Sequence, residues 1–341
     1  MTAAGLSKTF CTMTLLTGLM GSALAELPAQ PTPALFAPGP ISGPANDWTP
    51  AFSPDGKTLY FTRSGVSWGF ILESHQTDKG WSEPVIASFS GEYPDSSPTM
   101  APDGSYMVFE SLRPATAAIA AALHAAHKGL DVSALWKVER QGTGWSEPVR
   151  LPDTVNISTH IWKPSLAADG DLYFISKTDS EKNLHLYRSR HQDGKYLPAE
   201  PLPFSDGKTL DVDPAVAADG SYLVFSSSGR GPFKDDHEHM YISFAHDGGW
   251  SAPAAICYTA PGNGTQTFDD DAEFGPDDGL LYFASDRTVP VALPHSRAEA
   301  EQAVKDMGGW NNGDANIWSM SLAPWLSAAR SGKPLPTCAA S

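Results

Sequence analysis

PAFSPDGKTLYF, at residues 50–61, is the stretch that decides the fold, because close copies of it recur along the chain. Each copy joins one short apolar segment to another through an Asp-Gly pair. Asp-Gly favours the positive φ angles that a two-residue hairpin turn requires. A unit that recurs about every 50 residues is typical of a propeller or a solenoid. The other copies begin at Pro98, Pro164, Pro214 and Ala272.

Two more strands follow each hairpin, except in the last copy. In the first copy they are residues 70–74 and a segment that contains Trp-Ser-Glu-Pro at 81–84. A proline suits an edge strand, where its missing N–H does no harm. The last copy lacks this fourth strand, whereas residues 35–41 form a strand with no partner nearby. We therefore predict an all-β, five-bladed propeller of four-stranded blades, in which 35–41 closes the ring beside 316–322.

Two connections on one face of this ring are long enough to hold helices. Residues 114–128 are rich in alanine and begin with a proline, which favours a helix. Ser296 and Glu299 form a capping box, which predicts a second helix that ends near Met307. The two helices would wall a groove over blade 1, where Trp48 and Trp68 lie. Long loops on a rigid scaffold usually carry function.

The repeats resemble those of the TolB-type, WD40-like β-propeller family of bacterial envelope and secreted proteins. The resemblance rests on the Pro-x-Phe-Ser-Pro-Asp-Gly core, on the Leu-Tyr-Phe that follows it and on the Trp-Ser-Glu-Pro ending, and it covers nearly all of residues 35–322. It implies a propeller fold and an exported protein. Such propellers serve as binding platforms, peptidase gates and enzymes, so the resemblance leaves the activity open.

The N-terminus has the pattern of a secretory leader. Lys8 precedes an apolar run over 13–24, and Ala23-Leu24-Ala25 fits a small-x-small cleavage site. The mature protein is therefore expected in the periplasm or outside the cell, and no segment is suited to span a bilayer. The predicted organisation is a signal peptide over 1–25, a flexible lead-in over 26–34, the propeller over 35–322 and a C-terminal tail over 323–341.

The charge balance narrows the choice of partners. The chain has 39 acidic and 23 basic residues, a formal net charge of −16. Such a chain is repelled by nucleic acid and by anionic membranes. A small molecule, a glycan or an envelope protein remains as the expected partner, and the chain is expected to be a monomer.

Two cysteines, Cys257 and Cys338, remain after the predicted cleavage. In an oxidising compartment they could pair and pin the tail to the body of the protein. Their separation in space cannot be read from the sequence, so the alternative of two free thiols stays open.

Aspartates gather just before the first strand of most blades. The candidate catalytic residues, three positions before the repeat's aligned first residue, are Asp47, Asp95, Asp211 and Asp269. Residues two apart on a strand point the same way, so Asp211 should point with Asp213, and Asp269 with Asp271. First strands line the axis, which places these acids on the face opposite the Asp-Gly turns. The structural alternative is that they cap backbone N–H groups of tight connections.

Basic residues follow the second strands of the blades. The structural interpretation is that an arginine of one blade bridges to the aspartate of the next, and the functional one is that a few of them hold an anionic or sugar ligand. Blade 3 has Lys177 in this position and Ile161 in place of the first aspartate. The candidate ligand-binding residues are Trp48, His160, Lys163, Asp213, Asp271, Arg113, Arg230 and Arg287.

A divalent metal, calcium or zinc, is a candidate cofactor. His237 and His239 are candidate ligands, because His-x-His on a strand puts both imidazoles on one side. With Asp213 or Asp271 they could hold Zn²⁺. Alternatively, the run of three aspartates at 269–271 could hold Ca²⁺ together with Glu273 through oxygen ligands, although it lacks the spacing of an EF-hand. Histidine in an exposed acidic loop needs neither explanation.

Two functions fit these features. The first is an exported binding propeller with its site opposite the Asp-Gly turns. The alternative is a glycoside hydrolase- or lyase-like enzyme, whose two carboxyl groups would lie about 5.5 Å apart for retention or 6.5–9.5 Å for inversion. An enzyme should hold one carboxyl group with a raised pKa beside another that stays ionised. A binding platform should pair its carboxylates with arginine or backbone N–H groups.

Overall fold

The computed structural model describes residues 30–65, 68–116, 119, 132–178, 181–233, 237–247, 249–259, 268–277 and 279–338. The predicted signal peptide over 1–25 lies outside these described residues. So does most of the predicted helix over 114–128.

Five antiparallel sheets form five blades, as the repeats predict. One strand, β1 (Ala34–Leu35), precedes them all. Blade 1 contains β2 (Asn46–Phe52), β3 (Thr58–Ser64), β4 (Gly69–Thr77), β5 (Gly80–Trp81) and β6 (Val85–Ile86). Blade 2 contains β7 (Asp95–Met100), β8 (Tyr106–Ser111), β9 (Ala134–Gln141), β10 (Gly144–Trp145) and β11 (Val149–Arg150).

Blade 3 contains β12 (Ile161–Leu166), β13 (Leu172–Ser176), β14 (His185–Ser189), the short pair β15 (His191–Gln192) and β16 (Lys195–Tyr196), and β17 (Glu200–Pro201). Blade 4 contains β18 (Leu210–Val216), β19 (Tyr222–Ser228), β20 (His239–His246), β21 (Gly249–Trp250) and β22 (Ala254–Ala255). Blade 5 contains β23 (Asp269–Phe274), β24 (Leu280–Ser285) and β25 (Asn316–Ser321). In blades 1, 2 and 4 the fourth strand is split into two short pieces that both pair with the third strand.

The apolar core lies between neighbouring blades. The middle strands are buried on both faces, which explains why their sequences are nearly continuous apolar runs rather than alternating ones. Between blades 1 and 2, the Trp145 indole donates a hydrogen bond of 3.1 Å to the Tyr60 hydroxyl. Phe89 and Phe109 pack beside these rings, with their centroids 5.1 Å apart. Each blade is thus stabilised mainly by its neighbours.

The N-terminal strand closes the ring, as the missing fourth strand of the last blade predicts. Ala34 pairs with Ser319 and Leu35 with Trp318, so β1 becomes the outer strand of blade 5. The pairing begins one residue earlier than the predicted segment and continues through Phe36, whose N–H donates to the Ile317 carbonyl at 2.9 Å. The propeller is therefore fastened where its two chain ends meet.

Two helices lie outside the blades in the described part of the chain. α1 (Arg297–Met307) begins at the predicted capping box: Ser296 Oγ accepts from the Glu299 N–H, and the Glu299 carboxylate accepts from the Ser296 N–H. None of its residues is buried. α2 (Ala323–Arg330) lies within the predicted tail, where no helix was expected. No described helix is long and apolar enough to cross a membrane.

The C-terminal segment is part of the core. Trp325 of α2 is completely buried, in a cluster of apolar residues from blades 4 and 5. Cys338 forms a disulfide with Cys257, their Cα atoms 5.3 Å apart. The disulfide therefore ties the end of the described chain to the segment that follows blade 4.

Candidate functional site

Each first strand contains a bulge at the same position. The register with the second strand shifts there in all five blades. One residue of each bulge has a positive φ, between 45° and 52°, although none of the five is glycine. A bulge re-aims the side chains beside it, and a non-glycine residue in this region stores strain. The five residues are Thr49, Ser97, Lys163, Asp213 and Asp271.

The bulges surround a cavity on the propeller axis, with a volume of about 480 Å³. Its lining comes from the starts of the first strands, the ends of the second strands and the segments just before the third strands. These are the strand ends remote from the Asp-Gly turns, so the axial cavity lies on the predicted face. It is lined by Trp48, Ser96, Ser97, Glu110, Trp162, Lys163, Ile175, Leu184, Val212, Asp213, Glu238, Asp270 and Asp271.

The four candidate catalytic aspartates lie elsewhere, in ion pairs with arginine. We call Asp47, Asp95, Asp211 and Asp269 the arginine-paired aspartates. Their side chains are completely buried. Arg287 Nη2, for example, lies 2.8 and 3.0 Å from the two carboxylate oxygens of Asp269. Within the described residues these four do not line the axial cavity.

The arginine partners come from the same blade, not from the neighbouring blade as predicted. Arg63 pairs with Asp47 and Arg113 with Asp95. Arg230 pairs with Asp211 and Arg287 with Asp269. The reason is geometric: the first and second strands are antiparallel neighbours, so the start of one lies beside the end of the other. Blade 3 lacks both members, because the fully buried Ile161 and the partly exposed Lys177 take their places.

Burial raises the pKa of three of these carboxyl groups, and their arginines lower it. Desolvation raises the pKa of Asp47 to about 6, and the charge and hydrogen bonds of Arg63 limit the rise. Desolvation likewise raises the pKa of Asp269 to about 6, opposed by Arg287. The Asp47 carboxylate also accepts the Gly43 N–H at 3.1 Å. Asp47 thus also caps a backbone N–H group, as the structural alternative predicts.

The three candidate ligand-binding arginines are held by more than their aspartates. The guanidinium of Arg113 lies 5.4 Å from the centroid of the Trp136 ring, and that of Arg287 lies 5.2 Å from the centroid of Trp318. A cation over an aromatic face is attracted by the ring quadrupole. Arg230 also donates to the Phe204 carbonyl at 3.1 Å. These contacts anchor the three side chains within their blades.

A second set of acids lines the axial cavity, and none of them pairs with an arginine in the described part of the chain. We call them the axial carboxylates: Glu110, Asp213, Glu238, Asp270 and Asp271. Thr49 donates to Asp271 Oδ1 at 2.9 Å, and Ser96 donates to the Glu110 carboxylate at 3.0 Å. One carboxylate oxygen from each of Asp213, Glu238 and Asp270 lies within 4.8 Å of the others.

Burial and mutual repulsion raise the pKa of these carboxyl groups. Desolvation raises the pKa of Glu110 to about 8, and Asp271 adds to the rise. The pKa of Asp213 is well above the usual range because of burial first and of the Asp271 and Glu238 charges second. The pKa of Asp270 is raised by burial and then by the same neighbours together with Asp213. The cavity therefore favours protons or cations.

Lys163 is the one axial cation among the described residues at the five bulges, and it is already engaged. Its ammonium group donates to the Ala272 carbonyl at 2.9 Å and lies 3.2 Å from Glu273 Oε2. Both side chains are almost completely buried. The charge of Lys163 still limits the rise in the pKa of Asp213 and Asp271.

Two tryptophans flank the acids of the axial cavity. Trp48 donates from its indole nitrogen to Ser64 Oγ at 3.1 Å, which fixes its ring. Trp162 lies beside His160, with ring centroids 5.7 Å apart. His160 is half-buried and does not belong to the lining of the cavity.

The bulges also separate acids that strand periodicity would keep together. Asp211 contacts Arg230, Thr209 and Ser227, whereas the carboxylate of Asp213 lies among the axial carboxylates. The register shift falls between Val212 and Ala215, so the two-residue repeat of side-chain direction is broken there.

The candidate metal ligands His237 and His239 lie beside the axial carboxylates without joining the group of three. The ring of His239 stacks on Phe233, with centroids 3.7 Å apart. Glu238, between the two histidines, is the member of this segment that lines the axial cavity. Sequence reasoning missed Glu238, Glu110 and Trp162 as lining residues, and it considered Asp270 only as one of three successive aspartates that could hold Ca²⁺. The signal for Glu238 was the alternation itself, because a residue between two histidines faces the other side.

Several solved structures of other proteins share this architecture. Neither a family model nor a curated protein matches the chain. Among solved structures, an α-L-arabinofuranosidase from Lactobacillus brevis is 12% identical, covers 83% of this chain and 92% of its own, and superposes with a TM-score of 0.51. A putative TolB from Agrobacterium tumefaciens is 16% identical, covers 82% and 91%, and has a TM-score of 0.46.

TolB from Acinetobacter baumannii is also 16% identical, with a TM-score of 0.38. The match covers 62% of this chain and 46% of that one, so this chain spans less than half of that TolB. At such identities the likeness concerns the fold alone. Fold and repeats together define a five-bladed β-propeller.

Proposed function

We propose that the protein is an exported binding propeller, whose axial cavity takes a small hydroxylated ligand such as a sugar or the end of a glycan. The proposal depends on one observation: two indole rings and five carboxyl groups line the same cavity of about 480 Å³. That volume falls within the range of small-molecule sites. Aromatic faces pack against the C–H face of a sugar, and carboxylates accept strong hydrogen bonds from hydroxyl groups.

Export is supported by two features of the chain. The sequence begins with the pattern of a secretory leader, and the Cys257–Cys338 disulfide is of the kind that persists in oxidising compartments. The resemblance of the repeats to those of TolB-type envelope proteins also favours a periplasmic location. N-terminal sequencing of the protein recovered from the periplasm tests this part, and the expected new N-terminus is Glu26.

Titration calorimetry of the purified protein against a panel of mono- and oligosaccharides tests the ligand class. Trp162→Ala should weaken binding of a sugar found in this way by at least about tenfold, because the variant loses an aromatic wall of the axial cavity. Trp68→Ala is the matched control, since Trp68 is 51% exposed and lies outside the cavity lining. Equal affinities for the two variants would place the site elsewhere.

A second candidate, a glycoside hydrolase-like enzyme, is favoured by Glu110. Its pKa of about 8 keeps it protonated at neutral pH, which is the state of a general acid, and ionisable Asp271 lies near it. If the protein hydrolyses aryl glycosides, Glu110→Gln should lower the rate by about 10²–10⁴-fold and leave sugar binding in place. A panel on which the wild-type protein shows no hydrolysis would leave the binding function alone.

A further inference from the structure

Blades 4 and 5 bring three carboxylates together at the wall of the axial cavity. Asp213 lies in the bulge of β18, Asp270 lies in β23, and Glu238 directly precedes β20. One oxygen atom of each lies within 4.8 Å of the other two. We propose that these three residues bind a divalent cation, with Ca²⁺ as the fitting ion.

Asp270 has a buried oxygen atom whose surroundings favour a cation. Its Oδ1 atom is completely buried and has no hydrogen-bond partner among the described residues. Buried polar atoms are nearly always paired, and a buried carboxylate oxygen without a donor needs a partner of another kind. The oxygen belongs to the same side chain that joins Asp213 and Glu238. A cation between the three would satisfy it.

The negative charges of Asp213, Glu238 and Asp270 also favour a cation. Three partly buried carboxylates at this separation repel each other, so they favour a cation, protons or arginine neighbours. No arginine pairs with them in the described ranges, and Lys163 is already bound to Glu273 and to the Ala272 carbonyl. The arginine-paired aspartates show how this chain neutralises buried acids that belong to the scaffold. The group of three is left without that arrangement.

The donor set selects the type of cation. All three ligands are carboxylate oxygens, which suit hard ions such as Ca²⁺ or Mg²⁺ better than Zn²⁺, whose usual protein sites use histidine or cysteine. His237 and His239 are not members of the group. Ca²⁺ takes six to eight oxygen ligands in flexible geometry, so three carboxylates leave several positions open. Those positions would face the axial cavity.

The open positions give the cation a role toward a ligand. Hydroxyl oxygens of a sugar could complete the coordination shell, so the cation would join the ligand to blades 4 and 5. This step deepens the proposed binding function and rests on it, whereas cation binding itself does not. The two can therefore fail separately.

Cation binding is tested by calorimetry of the purified protein, after treatment with EDTA and dialysis, against CaCl₂, MgCl₂ and ZnCl₂ alone. We expect a single site for Ca²⁺ with a dissociation constant of about 10⁻⁵–10⁻³ M. Terbium offers a second readout, because Trp48 and Trp162 line the same cavity and would sensitise its luminescence. No Ca²⁺ binding up to about 10 mM, or a preference for Zn²⁺ over Ca²⁺, would overturn the assignment.

The ligand residues are tested by Asp270→Asn and Glu238→Gln, each expected to weaken Ca²⁺ binding by at least about tenfold. Glu139→Gln is the matched control, because Glu139 is exposed, pairs with Lys137 and lies outside the lining of the axial cavity. Circular dichroism and thermal unfolding show whether each variant is folded. Unchanged Ca²⁺ affinity in both folded ligand variants would refute the site. Sugar binding measured with and without EDTA then separates the proposals: loss of sugar binding in EDTA supports the bridging role, and equal binding overturns that role.

Discussion

The arginine-paired aspartates and the axial carboxylates begin from the same strands yet have opposite surroundings. Asp269 and Asp270 are neighbours in sequence, but one is bound by Arg287 and the other has a buried oxygen with no partner among the described residues. Asp211 and Asp213 differ in the same way across one bulge. The comparison shows that one or two residues along a strand separate an acid that holds a blade together from an acid available to a ligand.

This difference follows from how the charge of each acid is balanced. An arginine from the second strand pairs with each scaffold aspartate, so folding itself provides the counter-charge. The axial carboxylates have no such partner in the described chain, so their negative charge raises the pKa of their neighbours. The pairing of the carboxyl groups was expected to distinguish an enzyme from a binding platform. It instead divides the acids into two sets and does not choose between the two functions.

The largest expected effect is on the arginine-paired set. Arg287→Ala should lower the free energy of unfolding by about 3–5 kcal/mol, because it leaves the completely buried Asp269 without its counter-charge. Urea denaturation measures the loss. Arg63→Ala should cost less, since the Arg63 side chain is 28% exposed and water can reach the Asp47 pair. A loss below about 1 kcal/mol for Arg287→Ala would mean that these pairs do not hold the blades.

A sharper version of the comparison uses the two neighbours. Asp269→Asn should cost about 1–3 kcal/mol, because the neutral amide weakens the hold on the buried Arg287. Asp270→Asn should leave stability unchanged or raise it, because it removes repulsion from Asp213 and Glu238. Both are measured by urea denaturation in EDTA at pH 7.5. Similar losses for both variants would erase the distinction between the two sets.

The last expected effect is on the pH dependence of stability. Glu110 has a pKa of about 8 in the folded protein and an ordinary value of 4.5, so the folded state binds more protons between these values. The free energy of unfolding should therefore fall as the pH rises from about 4.5 to about 8. Glu110→Gln should flatten this part of the curve.

Glu139→Gln is the control for this experiment, because Glu139 is exposed and Lys137 lowers its pKa. Its curve should keep the wild-type slope between pH 4.5 and 8. A wild-type slope in Glu110→Gln would show that other axial carboxylates bind the extra protons.

Much of the fold could be predicted because its determinants are local in sequence. The Asp-Gly turns, the apolar strands beside them and the interval between copies gave five blades. The missing fourth strand of the last copy identified the N-terminal closing strand. Ser296 and Glu299 identified the start and type of α1, which ends at Met307 as expected. α2 was missed, although a proline near its start was an available signal.

The axial cavity could be predicted only in part, because it depends on the bulges. Lys163, Asp213, Asp271 and Trp48 were candidates and do line it. The bulge residues with positive φ are threonine, serine, lysine and aspartate, so no glycine in the sequence indicates the bulges. The two-residue periodicity of a strand was therefore applied across a register shift, where it does not hold. Glu238 lies between two histidines that were interpreted as metal ligands, so it was not considered as a lining residue. The pairing of each arginine with its aspartate depends on which strands lie side by side. The two residue types alone do not determine this.

The closing strand has a consequence for the order in which the protein is made. A ribosome produces Ala34 before the five repeats and its partner Ser319 within the last of them. Blade 5 therefore stays incomplete until all five repeats have been synthesised, and closing so long a loop is a slow, non-local step. Until then the first blade has no finished neighbour on one side, and the apolar surface around Phe36 and Tyr282 stays open to water. Export, as we propose it, would favour a chain that reaches its folding compartment before that last pairing occurs.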